Sequence, residues 1–445
     1  MNHQLPPQAP ELALNAEPSG RAASWLILPS LVAGALAGLL GSGFRLVLQR
    51  AEIFREEALS WAHHQLPVYG WLVPVFGVAL SAGFARWLVR RFAPDASGSG
   101  VPQVEAVVRD NAPLGSLVAL PVKFVGGAIV LGGGLLLGRE GPTVQMGALA
   151  AQFVGTVLRL PRGAVRVLLA AGSGAGLAAA FSAPLSGAVF VLEEIAQRFS
   201  LRILVATLSA CSASIAVSYQ VLGMRPDFNI AHIAVPGFFH FIFYLGLGLP
   251  LGLLGVIYNS LILRGLDLTD RFKGARSDLV AAAIGGVVGL AEWLRSDLLG
   301  GGDYLVQQLM NGQVGYCTLA TLFLVRFILG PASYAARVPG GIFAPLLVIG
   351  GAVGAASGLL VHALAPSLLR DPAAITLVGM AGFFAATVRA PITGIALVLE
   401  LTGVTSLFVP LLATCSVAAA VPAALGAAPI YDALRERVEH VHAQV

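Results

Sequence analysis

The chain has 445 residues, of which 57% are hydrophobic and only 11% charged, with a formal net charge of +4. A soluble domain carries about a quarter charged residues, so the composition excludes an ordinary water-soluble globular protein. It also argues against a nucleic-acid binder: the basic clusters at 86–91, 159–166 and 264–276 fall between apolar runs, where the positive-inside rule puts cytoplasmic loops.

In chain order, residues 1–24 are rich in Pro, Ala and polar side chains and lack the basic start and apolar core of a signal peptide. They are expected to form a mobile tail. Uncharged runs then extend from Val167 to Leu192, Phe228 to Leu263, Pro339 to Leu369 and Leu401 to Tyr431. Because about 20 apolar residues cross a bilayer, these are membrane spans, several of them longer than one crossing. The run "LLAAGSGAGLAAAFSAPLSGAVFVL" is apolar on every face, whereas a transmembrane barrel would alternate. An all-α polytopic membrane protein is therefore expected, in a bacterial inner membrane, with a first membrane half over 25–225, a second over 226–431 and a short charged tail over 432–445. Cys211, Cys317 and Cys415 have neither metal nor disulfide spacing. They are expected to be small core residues, and His232, His240 and His362 to be hydrogen-bonded core histidines.

The halves are related. "GSGAGLAAAFSAPLSGAVFVLEE" (172–194) aligns without a gap with "GMAGFFAATVRAPITGIALVLEL" (379–401), matching Pro184 to Pro391, Gly187 to Gly394 and Glu193 to Glu400. Internal repeats in a membrane protein point to a transporter whose binding site lies between the halves. An inverted repeat requires an odd number of spans in each half, which the pattern alone leaves open.

Gly and Pro gather in "SGSGVPQVE" (97–105), "LGREGPTVQ" (137–145) and "VPGGIFAPL" (338–346). Glycine permits a tight turn, and proline is tolerated in a first helical turn because its missing N–H would be unpaired there anyway. Each motif reads as a helix that begins inside the membrane, or else as a kink or close-packing contact. N–H groups at such a start must face a ligand, water or protein, and a helix N-terminus favours an anion. Three converging starts would hold a small anion by partial charges alone, from which it can also leave.

These three motifs, in this order, resemble the CLC family of chloride channels and chloride/proton exchangers: "GSGVP" at Gly98–Pro102, "GREGP" at Gly138–Pro142 and "GGIFAP" at Gly340–Pro345. The likeness runs over about residues 25–435. It implies a fold of two inverted halves with broken helices meeting at a central anion site, assembled as a homodimer. It implies that Ser99, Tyr431 and the amides of Ile342 and Phe343 bind chloride, that Glu140 is the external gate and proton acceptor, and that Glu194 transfers protons internally. Gly98, Gly100, Pro102, Lys123, Arg139, Gly141, Pro142, Gly341 and Pro345 support the site. Channels of the family typically lack the acid at the position of Glu194, so its presence favours an exchanger over the alternative, a passive voltage- or proton-gated channel. No nucleotide-binding modules, cofactor or metal are expected; chloride and protons are the substrates.

Each residue also has a plainer reading. Glu140 could pair with Arg139, although neighbours on a helix do not face each other and intramembrane acids are functional by default. Glu193 and Glu194 could end a helix in solvent. Glu193, matched in the repeat by Glu400, is expected to be structural; Glu194 corresponds to Leu401 and is the better functional candidate. Lys123 is expected to pair with Glu105, the other reading being that it sets the field along the path. Ser99 could be a helix cap and Tyr431 an interfacial aromatic. Arg337 lies in the loop before the third motif and carries no assigned role. An intramembrane serine protease built on "GSGAG" would need a paired base in a comparable motif, and an ATP-driven pump would need a phosphate-binding loop. Neither is present, so an enzyme is not expected.

Overall fold

The computed structural model describes residues 24–110, 112–224, 238–300, 302–311, 314–364 and 372–442. Residues 1–23 of the expected N-terminal tail, the 225/226 boundary and His232 fall outside these residues, as does the side chain of His240. The described chain is helical: α1 Ile27–Gln65, α2 Leu72–Phe92, α3 Val101–Arg109, α4 Ala119–Gly132, α5 Glu140–Val157, α6 Arg162–Phe181, α7 Pro184–Phe190 and α8 Leu201–Leu222. There follow α9 Phe238–Thr269, α10 Ala275–Leu294, α11 Asp303–Met310, α12 Tyr316–Ala335, α13 Phe343–Leu364, α14 Pro372–Val388, α15 Pro391–Thr402 and α16 Phe408–Ala424, with α17 Ile430–His442 closing the chain. Among the described residues, nine helices are long and apolar enough to cross a membrane.

Helices α1–α8 repeat as α9–α16. Ser182 and Arg389, equivalent in the sequence alignment, are both non-glycine residues with positive φ (54° and 65°), and each precedes an Ala-Pro helix start. A Cβ on Gly147 would lie 2.2 Å from the Gly172 carbonyl oxygen, and one on Gly350 would lie 2.4 Å from that of Gly379. The crossings α5/α6 and α13/α14 thus use the same glycine contact, which lets helix backbones touch. Contacts between the halves are reciprocal: the Gly138 amide donates to the Gly341 carbonyl at 2.7 Å, and the Gly341 amide returns the bond at 2.7 Å. This antiparallel pairing of equivalent residues marks a local two-fold axis, as reciprocal contacts do in a symmetric dimer. The repeat is therefore inverted, and the chain enters α5 and α13 in opposite directions.

The repeat also disposes of two acids. Glu193 accepts from the Ile392 and Thr393 amides at 3.0 and 2.6 Å, at the start of α15. Glu400 accepts from the Leu185 and Ser186 amides at 2.8 and 2.6 Å, at the start of α7. Each carboxylate caps the broken helix of the opposite half, satisfying amides that have no intrahelical partner and complementing the helix dipole. Two expectations fail. Cys317 is exposed while Cys211 and Cys415 are buried, because lipid is as apolar as the core and a hydrophobic run on a spanning helix faces either. His362, in the last turn of α13, is likewise exposed rather than in the core.

Candidate anion site

All three glycine-proline motifs begin helices, α3, α5 and α13, with Pro102, Pro142 and Pro345 in the first turns. They also meet. The Gly98 amide donates to the Val338 carbonyl and the Gly340 amide to the Gly98 carbonyl, each at 3.0 Å, while Gly138 pairs with Gly341. The third motif is thus stitched to both of the others. Packing is close enough that side chains are excluded at the junctions: a Cβ on Gly141 would lie 2.4 Å from Ser99 Oγ, and one on Gly341 would lie 2.8 Å from the Gly141 amide nitrogen. Gly100 turns with φ +87°, and a Cβ there would lie 2.4 Å from Gln145 Oε1.

Ser99, Ile342, Phe343 and Tyr431 are buried around this junction. The Ser99 and Tyr431 hydroxyls lie near each other, but neither has a partner of adequate hydrogen-bond geometry among the described residues. Buried hydroxyls in that condition are costly unless something else accepts their protons. Tyr431 comes from the first turn of α17, and its ring centroid is 6.1 Å from that of Phe343. Phe343 is packed against Phe190 at 5.4 Å and Phe384 at 4.9 Å, an apolar collar that excludes water beside the helix starts.

On the other side of the junction lies Glu140, with about 1% of its surface exposed. Its Oε2 accepts from the Ala344 amide, in the first turn of α13, at a long 3.4 Å. A Cβ on Gly138 would fall 2.1 Å from the same oxygen, so the carboxylate folds back into a space that only glycine leaves open. Arg139 Nε approaches Glu140 Oε1 at 4.0 Å, the outer limit of an ion pair. A cavity of about 1030 Å³ opens above Glu140 and is lined by Arg45, Arg55, Arg139, Glu292 and Asp297 among others. At its rim the Arg295 guanidinium, hydrogen-bonded to Asp297, holds that carboxyl below the usual carboxylate range.

Lys123 does not pair with Glu105. Its ammonium, fully buried, donates to the carbonyls of Ala96 at 3.1 Å and Gly98 at 2.7 Å, holding the loop that presents Ser99. The reason is reach: α4 passes beneath that loop, so the nearest acceptors are its carbonyls. Both carboxylate oxygens of Glu105 and one of Glu194 are buried without a hydrogen-bond partner among the described residues. The two acids are close enough to interact electrostatically. They are brought together because α7 continues into a π-helical turn, Val191–Ile195, which turns Glu193 towards α15 and Glu194 towards α3. Such turns recur at functional sites.

Sequence reasoning missed several supports. Tyr334 accepts from the Ser99 amide at 3.4 Å through its hydroxyl, and Gln145 donates to the Asp95 carbonyl at 2.8 Å. Neither carries a local signal. Arg326 does: "VRF" at 325–327 repeats "VKF" at 122–124, and its guanidinium donates to the carbonyls of Leu298 at 3.1 Å and Gly300 at 3.0 Å.

An inverted repeat of broken helices whose starts converge on buried hydroxyls and a buried carboxylate defines a membrane transport protein. The chain matches the family described as "Voltage gated chloride channel" over residues 81–423, and it belongs to that family. It is 38% identical over 427 residues to the H(+)/Cl(-) exchange transporter ClcA of Vibrio cholerae, covering 92% of this chain and 88% of that protein. The ClcA exchange transporter of Salmonella paratyphi B is 35% identical over 421 residues, with 93% and 88% covered. Among solved structures, that of a slow cyanobacterial Cl−/H+ antiporter superposes with a TM-score of 0.88 at 33% identity, covering 93% of this chain and 97% of the other. A CLC-type fluoride/proton antiporter, 23% identical with a TM-score of 0.76, shares the fold.

Proposed function

We propose that the protein is a chloride/proton antiporter, moving chloride across the membrane in exchange for protons by secondary active transport. The observation that carries this reading is the position of Glu140: its carboxylate folds back over Gly138 onto the amide of Ala344, at a helix start suited to an anion. Carboxylate and chloride are rivals for the same donors. Ionised, Glu140 occupies the anion position and blocks it; protonated, it loses the attraction, swings into the cavity above and admits chloride. Ser99, Tyr431 and the amides of Ile342 and Phe343 hold the ion from the other side of the junction.

Glu194, with Glu105 beside it, receives protons from the opposite face and passes them towards Glu140. Acids within a membrane protein mark proton routes, which suits a relay. The working unit is proposed as a homodimer in a bacterial inner membrane, each subunit with its own path, as the family resemblance of the three motifs implies. The test is made in liposomes: an imposed chloride gradient should drive protons uphill, recorded as a change in external pH. Glu140→Gln, which mimics the protonated acid, should keep chloride flux, lose its pH dependence at that site and carry no protons. A chloride flux without proton movement in the wild type would identify a passive channel instead.

A further inference from the structure

Helix α17 carries Tyr431 in its first turn and is fastened at one end of the molecule by ion pairs. Asp432 Oδ1 accepts from Arg109 Nη1 at 2.9 Å, at the last residue of α3. Arg435 pairs with Asp110 at 2.6 Å and with Asp432 at 3.3 Å. Arg437 reaches Asp267 at 2.6 Å and Asp270 at 2.7 Å, at the end of α9. Asp270 also pairs with Arg337, whose own carbonyl accepts from Ser97 Oγ at 3.2 Å and Arg86 Nη1 at 3.4 Å. Four arginines and four aspartates therefore tie the helix of Tyr431 to the helix that begins beside Ser99 and to the loop that leads into Ile342.

We propose that this network is a latch that sets the spacing between the Ser99 and Tyr431 hydroxyls, making Arg109, Asp432 and their neighbours positioning residues for the chloride path. The proposal rests on the reading of the anion site given above. The two hydroxyls lie close to each other without a partner of full hydrogen-bond geometry, so their separation depends on how α3 and α17 are held. The covalent path between those helices is over 300 residues long, and beside the packing of Ile430 and Tyr431 the polar ties are the ion pairs. Partly exposed pairs contribute only about 0–1 kcal/mol each, too little to be needed for folding while Ile430 and Tyr431 are fully buried. They are suited to fixing a geometry. Loosened, α17 would let Tyr431 move away from Ser99, and chloride would pass that constriction without waiting for a proton at Glu140.

Asp432 and Arg109 also act electrostatically on Glu194, so the experiment must separate a latch from a field effect. Proton and chloride fluxes are measured in liposomes for wild type, Asp432→Asn, Arg109→Gln, Arg437→Gln and Tyr431→Ala. The latch predicts that each neutralising variant lowers the proton-to-chloride ratio severalfold without lowering chloride flux. It also predicts the same direction of change for Arg437→Gln, whose partners Asp267 and Asp270 lie at the end of α9. Unchanged ratios in the single variants overturn the proposal. So does a wild-type ratio in Arg437→Gln beside a lowered one in Asp432→Asn and Arg109→Gln, because a field of those two residues on Glu194 needs no tie to α9 whereas a latch does. If these variants fold poorly, Asp267→Asn, at the exposed end of the network, should lower the ratio in the same direction, and no change there overturns the proposal too. Failure of the wild type to exchange would sink the functional reading itself. Wild-type exchange, with Tyr431→Ala uncoupled and the ion-pair variants normal, would sink only the latch.

Discussion

The two halves build the same loop twice. In the first, Gly98 and Gly100 turn with positive φ into α3, and Lys123 holds the carbonyls of Ala96 and Gly98. In the second, Gly300 and Gly302 turn with positive φ into α11, and Arg326 holds the carbonyls of Leu298 and Gly300. Backbone, cation and acceptors correspond, yet only the first loop opens onto Ser99 and Tyr431. The second lines the cavity above Glu140 through Leu299 and Gly302. The acids divide on the same principle. Glu193 and Glu400 are equivalent and do equivalent work, each capping a helix of the opposite half, whereas Glu194 is matched by Leu401 and Glu140, in the register of the Gly138–Gly341 pair, by Phe343. Where both halves keep a residue type, it supports the frame; where one half holds an acid and the other an apolar side chain, the acid is the one proposed above for transport.

Removing the unmatched acid tests that rule with the largest expected effect. Glu194→Gln should abolish proton movement against a chloride gradient while anion transport continues. A carboxylate that merely held the fold would, on losing its charge, reduce both fluxes or the yield of folded protein. Proton uptake at the wild-type ratio in this variant would remove the relay assignment and the lesson drawn from its pairing with Leu401.

The two clamps should separate next. Lys123→Met leaves the buried Ala96 carbonyl unsatisfied, a loss of about 1–3 kcal/mol, while the Gly98 carbonyl keeps the Gly340 amide. It also removes a buried charge from the loop that carries Ser99, and about a tenfold loss of chloride affinity, or 1.4 kcal/mol, is expected by calorimetry. Arg326→Met should destabilise comparably yet leave chloride affinity within about twofold, because its loop does not present the proposed hydroxyl ligands. Equal losses of affinity would show that the charges matter and the loops do not.

Much of this was legible beforehand, for physical reasons that differ between residues. The helix starts at Val101, Glu140 and Phe343 were readable because glycine and proline act locally. The correspondence of Glu193 and Glu400 was readable because a gapless alignment carries position. Lys123 was misassigned because a sequence shows that an acid lies on a neighbouring helix but not that two carbonyls lie closer. Arg326 was missed because its match to Lys123 sits at an offset of 203 residues, not the 207 of the later segment; loop lengths drift between halves while the fold does not. The ion pairs of α17 were invisible, since Arg and Asp in a charged tail carry no periodicity that names a partner.

The smallest expected effect sharpens the comparison most, because it is a prediction of equality. Glu193→Gln and Glu400→Gln each keep an oxygen that can accept one amide and lose the charge that complements a helix start, worth about 0.3–1 kcal/mol and up to about 2 where partly buried. The two caps have the same geometry, with paired amides and one hydroxyl apiece: Ser186 Oγ donates to Glu400 at 2.5 Å and Thr393 Oγ1 to Glu193 at 2.7 Å. Their substitution should therefore lower the unfolding temperature in detergent by similar small amounts, and the coupling ratio should stay at the wild-type value in both. A pure frame role requires both results together. If Glu193→Gln shifts the proton-to-chloride ratio while Glu400→Gln does not, then Glu193 takes part in the proton route alongside its neighbour Glu194, and equivalence in the fold has not protected it from a second task.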